Sequence, residues 1–242
     1  MFNDPAIVSR FRNAKGLEPC EQHLFQKFIK QDDDVLDIGV GGGRTTPYLS
    51  AIARRYVGVD YSQAMVEACH EGWPELDFRN CDATDLSEFS DTTFDVVVFS
   101  FNGIDNIGDD SGRARCFAEI ARVLKPDGVF IFSSHNARSL GVWPVLDDVR
   151  GLKIFWRIAY SIFKSVQILI RTLWGGAFLA GRGYIFDPVD GGLKLFQSTP
   201  ETIAPEVSAA GFAIMETVGS RWPSVKARLL TPWYYYACQK CR

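Results

Sequence analysis

Five short apolar runs, separated by stretches long enough for helices, constrain this chain more than any other feature. The runs are Val35–Ile38, Tyr56–Val59, Leu76–Arg79, Phe94–Phe99 and Val129–Ser133. Thr45–Arg54, Ser62–Gly72 and Gly112–Leu124 lie between them, and Cys20–Lys30 carries a helical pattern ahead of the first. Strands that alternate with helices run parallel, because each crossover returns the chain to the same end of the sheet. Phe94–Phe101 reads FDVVVFSF and is expected to be a central strand, buried on both faces. Lys125-Pro126-Asp127-Gly128 has the composition of a turn into the fifth strand. The expected class is α/β, a doubly wound Rossmann-like sheet with helices on both faces.

The bulk properties exclude several functions. A net charge of −3 is wrong for a general polyanion binder. No apolar run reaches the length of a membrane-spanning helix, and MFNDPAIVSRFRNAKG lacks the apolar core of a signal peptide. Cys20, Cys69, Cys81, Cys116, Cys238 and Cys241 are scattered, which reads as reduced thiols in a cytoplasmic protein. Cys238 and Cys241 form a C-x-x-C, but no second pair completes a metal set. They are read as a strand end, and no metal is expected.

Val35–Arg44 reads VLDIGVGGGR. A phosphate-binding P-loop needs Gly-Lys-Ser/Thr, and here Gly43 is followed by Arg44-Thr45. A dinucleotide fingerprint needs its third glycine at position 44 or 46, which are arginine and threonine. What remains is Asp37-x-Gly39-x-Gly41-x-Gly43, a sharp turn that lets a ligand lie against bare backbone.

Here the chain resembles the class I S-adenosylmethionine-dependent methyltransferases. Asp37-Ile-Gly39-Val-Gly41-Gly-Gly43 resembles their first motif, and Tyr56-Val-Gly-Val-Asp60 the second strand with its ribose-binding acid. Asn80-Cys-Asp82-Ala83 resembles the loop that meets the adenine. Phe94–Ser100 and Leu124–Gly128 with VFIFSS resemble the fourth and fifth strands. Thr199–Gly211, Phe212–Val218 and Trp233–Gln239 echo the last helix and final two strands. The resemblance implies a seven-stranded, mostly parallel sheet and S-adenosyl-L-methionine as cofactor. It implies cofactor contacts at Asp37, Gly39, Gly41, Gly43, Asp60, Tyr61, Asp82, Ala83 and Ser100. A binding protein without catalysis, and an oxidoreductase on a similar sheet, stay open as alternatives.

The methyl acceptor is expected at the ends of strands four and five, followed by Asn102-Gly103-Ile104-Asp105-Asn106 and by Ser133-Ser134-His135-Asn136. The Asn-Pro-Pro-Tyr type sequence of nucleic-acid amino methyltransferases is absent, so no nucleic-acid partner is expected and a small-molecule acceptor, methylated at oxygen or nitrogen, is. His135, Asp105 and Asn102 are the catalytic candidates, with His135 suited to general-base work. His23 and His70 sit in helical patterns and are expected to be surface residues.

About sixty residues separate the fifth strand from Thr199, more than a crossover needs. The chain therefore divides into a cofactor-binding core (1–135), a lid or substrate-binding insertion (136–198) and the rest of the core (199–242). Residues 136–182 carry seven basic side chains against Asp147 and Asp148, a net +5 that leaves −8 for the remainder. Within Leu152–Trp174, Lys153, Arg157, Lys164 and Arg171 fall within about 40° of each other on a helical wheel. Phe155, Ile158, Ile162, Phe163, Val166, Leu169, Ile170 and Leu173 fall on the other side, between about 140° and 280°. Such a helix packs on apolar surface as a lid or homodimer element, meets an anionic membrane or lipid-linked substrate, or grips an anionic acceptor. Tyr184–Asp187 and Leu193–Gln197 around Pro188–Gly192 predict a hairpin.

Overall fold

The computed structural model describes residues 2–140, 150–187, 193–220, 222–223, 229 and 231–241. Each apolar run is a strand: β1 (Asp34–Ile38), β2 (Arg55–Asp60), β3 (Asp77–Asn80), β4 (Phe94–Phe99) and β5 (Leu124–Asn136). They pair in parallel in the order β3-β2-β1-β4-β5. Asp37 on β1 sits between Gly58 and Val98, where the strand order reverses and a crevice opens at the carboxyl ends. The expected turn at 125–128 is a bulge inside β5. Leu124 pairs with Phe94 and Val129 with Val96, so four residues loop out opposite Asp95, with Asp127 at φ 62°.

β6 (Arg182–Asp187) and β7 (Leu193–Ser198) form the expected antiparallel hairpin; its turn, 188–192, lies outside the described residues. β9 (Trp233–Lys240) runs antiparallel along β5 from Val129 to His135, and β8 (Phe212–Gly219) antiparallel along β9. The order β3-β2-β1-β4-β5-β9-β8 gives the seven expected strands. His135 pairs with Trp233 on one edge and Gln197 on the other. β7 therefore takes the edge that β4 vacates after Phe99, and the hairpin sits beyond the end of β4.

Side-chain alternation along the strands splits the core in two. Leu36, Val97, Phe130 and Phe132 pack with Phe117 and Ile120 of α5 (Asp110–Val123) and Ile203 and Val207 of α8 (Pro200–Ala209). Val35, Val96, Val98 and Ile131 pack with Leu24 and Phe25 of α2 (Pro19–Phe28), Leu49 of α3 (Thr46–Ile52) and Val66 of α4 (Gln63–Gly72). A helix not expected from sequence, α1 (Pro5–Asn13), is capped by Asp4, whose Oδ1 accepts from the Ala6 amide at 2.8 Å.

Two expectations are corrected. His23 is half-buried: its Nε2 lies 2.8 Å from Glu216 Oε1 and its ring 4.4 Å from that of Trp222. Exposed His70 contacts the Phe78 carbonyl through Nε2 at 3.1 Å. The second correction concerns α6 (Leu152–Trp174). Its contacts run chiefly to α7 (Ala177–Ala180) and β6, and the side it turns inward is narrow, with Ser161 buried and Ile154, Ile158 and Ser165 half-buried. The broad apolar side does not pack on the rest of the chain as a lid helix would: Phe155, Trp156, Ile162, Phe163, Ile170 and Trp174 are all exposed.

Candidate active site

A cleft of about 820 Å³ opens at the carboxyl ends of β1, β2, β4 and β5. Gly39 and Gly41 lie on its floor at φ 65° and 56°, a backbone region costly for residues with a Cβ. A Cβ on Gly39 would also stand 2.8 Å from the Phe99 ring. Gly42 is bare for another reason: a Cβ there would meet the Arg12 backbone nitrogen at 2.3 Å, because α1 lies across the loop. Gly43 does not reach the cleft; its Cβ position points into the Trp73 ring, 2.3 Å away.

Asp37 is buried on the cleft wall. Its Oδ2 accepts from Thr45 Oγ1 at 2.6 Å and Tyr56 OH at 2.9 Å. Burial pushes its carboxyl up to about 6, against the opposing pull of those two hydroxyls. A raised acid stabilises the fold only while protonated, so this contribution is lost as pH rises from the ordinary aspartate value to about 6. At neutral pH the buried charge then costs about 3 kcal/mol. Asp37→Asn should therefore raise the thermal midpoint at pH 8 and leave it nearly unchanged at pH 4. Equal shifts at both pH values, read by calorimetry, would refute this.

The other expected cofactor residues line the same cleft. Asp60 at the end of β2 accepts from the Gly41 amide on Oδ2 and the Ser62 amide on Oδ1, both at 2.8 Å. It thus pins the glycine loop to β2, and each oxygen keeps a second lone pair for a ligand hydroxyl. Tyr61 beside it is 75% exposed. Asp82 Oδ1 closes a turn on Thr84, accepting from its amide at 2.8 Å and its hydroxyl at 2.9 Å, and Ala83 follows on the cleft edge. Ser100 reaches the cleft, but its hydroxyl donates to Glu21 Oε1 at 3.0 Å.

The three catalytic candidates meet at the other end. β4 runs into Phe101 and Asn102, consecutive left-handed residues at φ 55° and 61°. Such strain persists where surrounding contacts hold it; here the Asn102 amide donates to Ser133 Oγ at 2.7 Å. The chain then turns through a short 3-10 segment, Gly103–Asn106, that buries Asp105 against β5. Asp105 Oδ2 accepts from the His135 amide and contacts His135 Nδ1, both at 2.7 Å, while Oδ1 accepts from Ser134 Oγ at 2.7 Å. Burial pushes the Asp105 carboxyl up, and His135 and Ser134 oppose it. The other ring nitrogen, Nε2, lies 3.3 Å from Asn102 Nδ2. Asn102 is 5% exposed, yet its Oδ1 has no hydrogen-bond partner among the described residues. Leu195 of β7 completes this end of the cleft.

Two parts of the site carried no sequence signal. Glu21 on α2 sits where a helix-capping glutamate would, and it does accept from the Glu18 amide at 2.8 Å. It is also fully buried and bonded to Arg44 at 2.5 and 2.6 Å and to Tyr235 OH at 2.6 Å. Arg44 in turn lies 4.8 Å over the Phe101 ring. The second part is α1, whose Phe11 borders the cleft above Gly41.

A methyltransferase-domain family model matches residues 36–132, the stretch that holds the glycine loop, Asp60 and the Asn102–Asp105 turn. Over this stretch the chain has the sequence of a methyltransferase domain, and it resembles the class I S-adenosylmethionine-dependent methyltransferases. It is 36% identical over 103 residues to a probable S-adenosylmethionine-dependent methyltransferase of Mycolicibacterium smegmatis, covering 43% of this chain and 38% of that one. It is 35% identical over 188 residues to a demethylmenaquinone methyltransferase of Clavibacter sepedonicus, covering 75% and 66%. The chain thus spans less than two thirds of the length of these curated relatives. Its fold matches that of a Burkholderia thailandensis 1,6-didemethyltoxoflavin-N1-methyltransferase, TM-score 0.64 at 16% identity over 100% of this chain and 84% of that one.

Methyltransferases of this kind take S-adenosylmethionine as cofactor, and the residues present fit it. Gly39 and Gly41 leave a cradle that a Cβ would fill, and the cleft volume is in the range of small-molecule sites. The carboxylates of Asp37, Asp60 and Asp82 suit a sulfonium cation and vicinal hydroxyls.

Proposed function

We propose that the protein moves a methyl group from S-adenosylmethionine to an oxygen or nitrogen of a small-molecule acceptor, with His135 as general base. The observation that carries this reading is the buried Asp105 held 2.7 Å from His135 Nδ1. A protein that only stores the cofactor has no use for an oriented imidazole. The relative from Clavibacter is named for demethylmenaquinone, and the Burkholderia structure holds 1,6-didemethyltoxoflavin; both support a small organic acceptor.

When bound, the cofactor supplies an electrophilic methyl on a positively charged sulfur. Gly39, Gly41, Asp60, Tyr61, Asp82 and Ala83, which line the cleft, would hold it, and α1 would help exclude water. Asp105 already accepts from the His135 backbone amide and Ser134 Oγ, and its carboxyl facing Nδ1 holds the imidazole proton there, which leaves Nε2 with the lone pair, turned toward Asn102 Nδ2. With cofactor and acceptor bound, the acceptor's proton would pass to Nε2 as its oxygen or nitrogen bonds the methyl carbon and the carbon–sulfur bond breaks, its electron pair leaving on a neutral thioether sulfur. Once Nε2 is protonated, the Asn102 amide faces it with the wrong group. Turning that amide over presents its unpartnered Oδ1 to the new N–H, which stabilises the imidazolium. A second reading, a lipid-linked acceptor, is favoured by Leu195, which enters the cleft from the segment that carries the exposed apolar α6.

A panel of phenols, alcohols and amines, with methyl-labelled cofactor, tests the proposal. Label is expected on O–H or N–H acceptors. Tight cofactor binding with no transfer to any of them would favour a non-catalytic binding protein.

A further inference from the structure

Monomeric proteins seldom leave a large contiguous apolar patch in water, yet α6 does so along its whole length. Trp156 is 70% exposed and Trp174 91%, with Phe155, Ile162, Phe163 and Ile170 on the same side. Leu179 on α7 and Phe186 on β6, the elements α6 packs against, are also exposed. The flank is cationic. From Arg150 to Phe186 there are six basic residues and no acid, although the chain as a whole is acidic. Lys153 and Arg157 are exposed and Lys164 half-buried, on the face beside Trp156 and Trp174; Arg171 joins this stripe in sequence, its side chain being outside the described residues.

We propose that α6 docks the protein on an anionic lipid surface. Charge complementarity and the kind of apolar residue both favour a bilayer over a second copy of this chain. A helix-pairing seam is narrow and built of aliphatic side chains, whereas this arc is broad and sets Phe155, Trp156, Phe163 and Trp174 among its aliphatics. Trp and Phe beside Lys and Arg is the pattern of a helix lying in the headgroup region, apolar side down and cations toward the lipid phosphates. No helix among the described residues is long and apolar enough to cross a membrane, so the contact is peripheral. The inference is independent of the acceptor's identity.

Flotation with vesicles tests it. The full chain should float with vesicles of equal parts phosphatidylglycerol and phosphatidylcholine at low salt, and less at high salt, where the cations are screened. Lys153→Gln/Arg157→Gln/Lys164→Gln should weaken vesicle affinity by about a hundredfold, since each cation near an anionic surface is worth about fivefold. Trp156→Ser/Phe163→Ser should abolish flotation at both salts. Affinity for S-adenosylhomocysteine, read by calorimetry, should be unchanged in both variants; if the apolar variant fails to fold, the charge variant carries the test. The proposal is overturned if the parent does not float with anionic vesicles, or if the charge variant floats as well as the parent. It is also overturned if sedimentation shows a stable dimer that Trp156→Ser/Phe163→Ser dissociates, because a second copy then covers the face.

Discussion

His135→Ala should lower turnover by about 10²–10⁴-fold, the range of a lost general base, and leave cofactor affinity within a few fold of the parent. The two effects separate because His135 contacts the Asn102 and Asp105 end of the cleft, away from Gly41 and Asp60. The pH dependence has a defined sign. A protonated Nε2 cannot accept a proton, so the parent's rate should fall toward acid pH, and that limb should vanish in His135→Ala. Asp105→Asn should also lower turnover, since an amide no longer fixes the proton on Nδ1. A fall of only a few fold in His135→Ala, with the acid limb intact, would reduce His135 to a pocket wall. The acceptor would then be one already nucleophilic, such as a neutral amine.

His135 and Asp105 stand out in the sequence separately, each as a polar residue at a strand end. Their pairing does not, because 30 residues separate them and only the return of β5 beside β4 brings them together. The strands themselves are legible because the signals are local: apolar runs, periodicity and turn residues are written within a few positions. The same locality explains the misses. Gly42 and Gly43 belong to the motif in sequence, but what keeps them bare is α1 and Trp73, contacts no local pattern encodes. The hydrophobic wheel of α6 showed correctly which side is apolar. It could not show that the inward contacts would fall on the serine edge, because that depends on where α7 and β6 anchor the helix.

Glu21 is the largest omission, and its removal should have the largest effect on stability. The carboxylate is fully buried, and the paired Arg44 side chain is only 14% exposed. Burial alone would push the Glu21 carboxyl up. Arg44, Tyr235 and the Glu18 amide outweigh it and hold it below the ordinary glutamate range. The stability this contributes is therefore present at neutral pH and lost on acidification through the lowered folded value. Glu21→Ala leaves a guanidinium and two hydroxyls, Tyr235 and Ser100, without their acceptor, which should cost about 3–5 kcal/mol. In a chain of this size that is a fall in thermal midpoint on the order of 10 °C. Adding Arg44→Met should restore part of it, since it removes the uncompensated charge while Tyr235 and Ser100 stay without their acceptor. Activity should not return with stability. Arg44 follows the glycine loop and lies over Phe101, and Ser100 hangs from Glu21, so the pair ties the cofactor end of the cleft to the turn that places Asn102 and Asp105. A double variant that regains both midpoint and turnover would show the ion pair to be packing alone. One that regains only the midpoint would show that it sets the two loops in register.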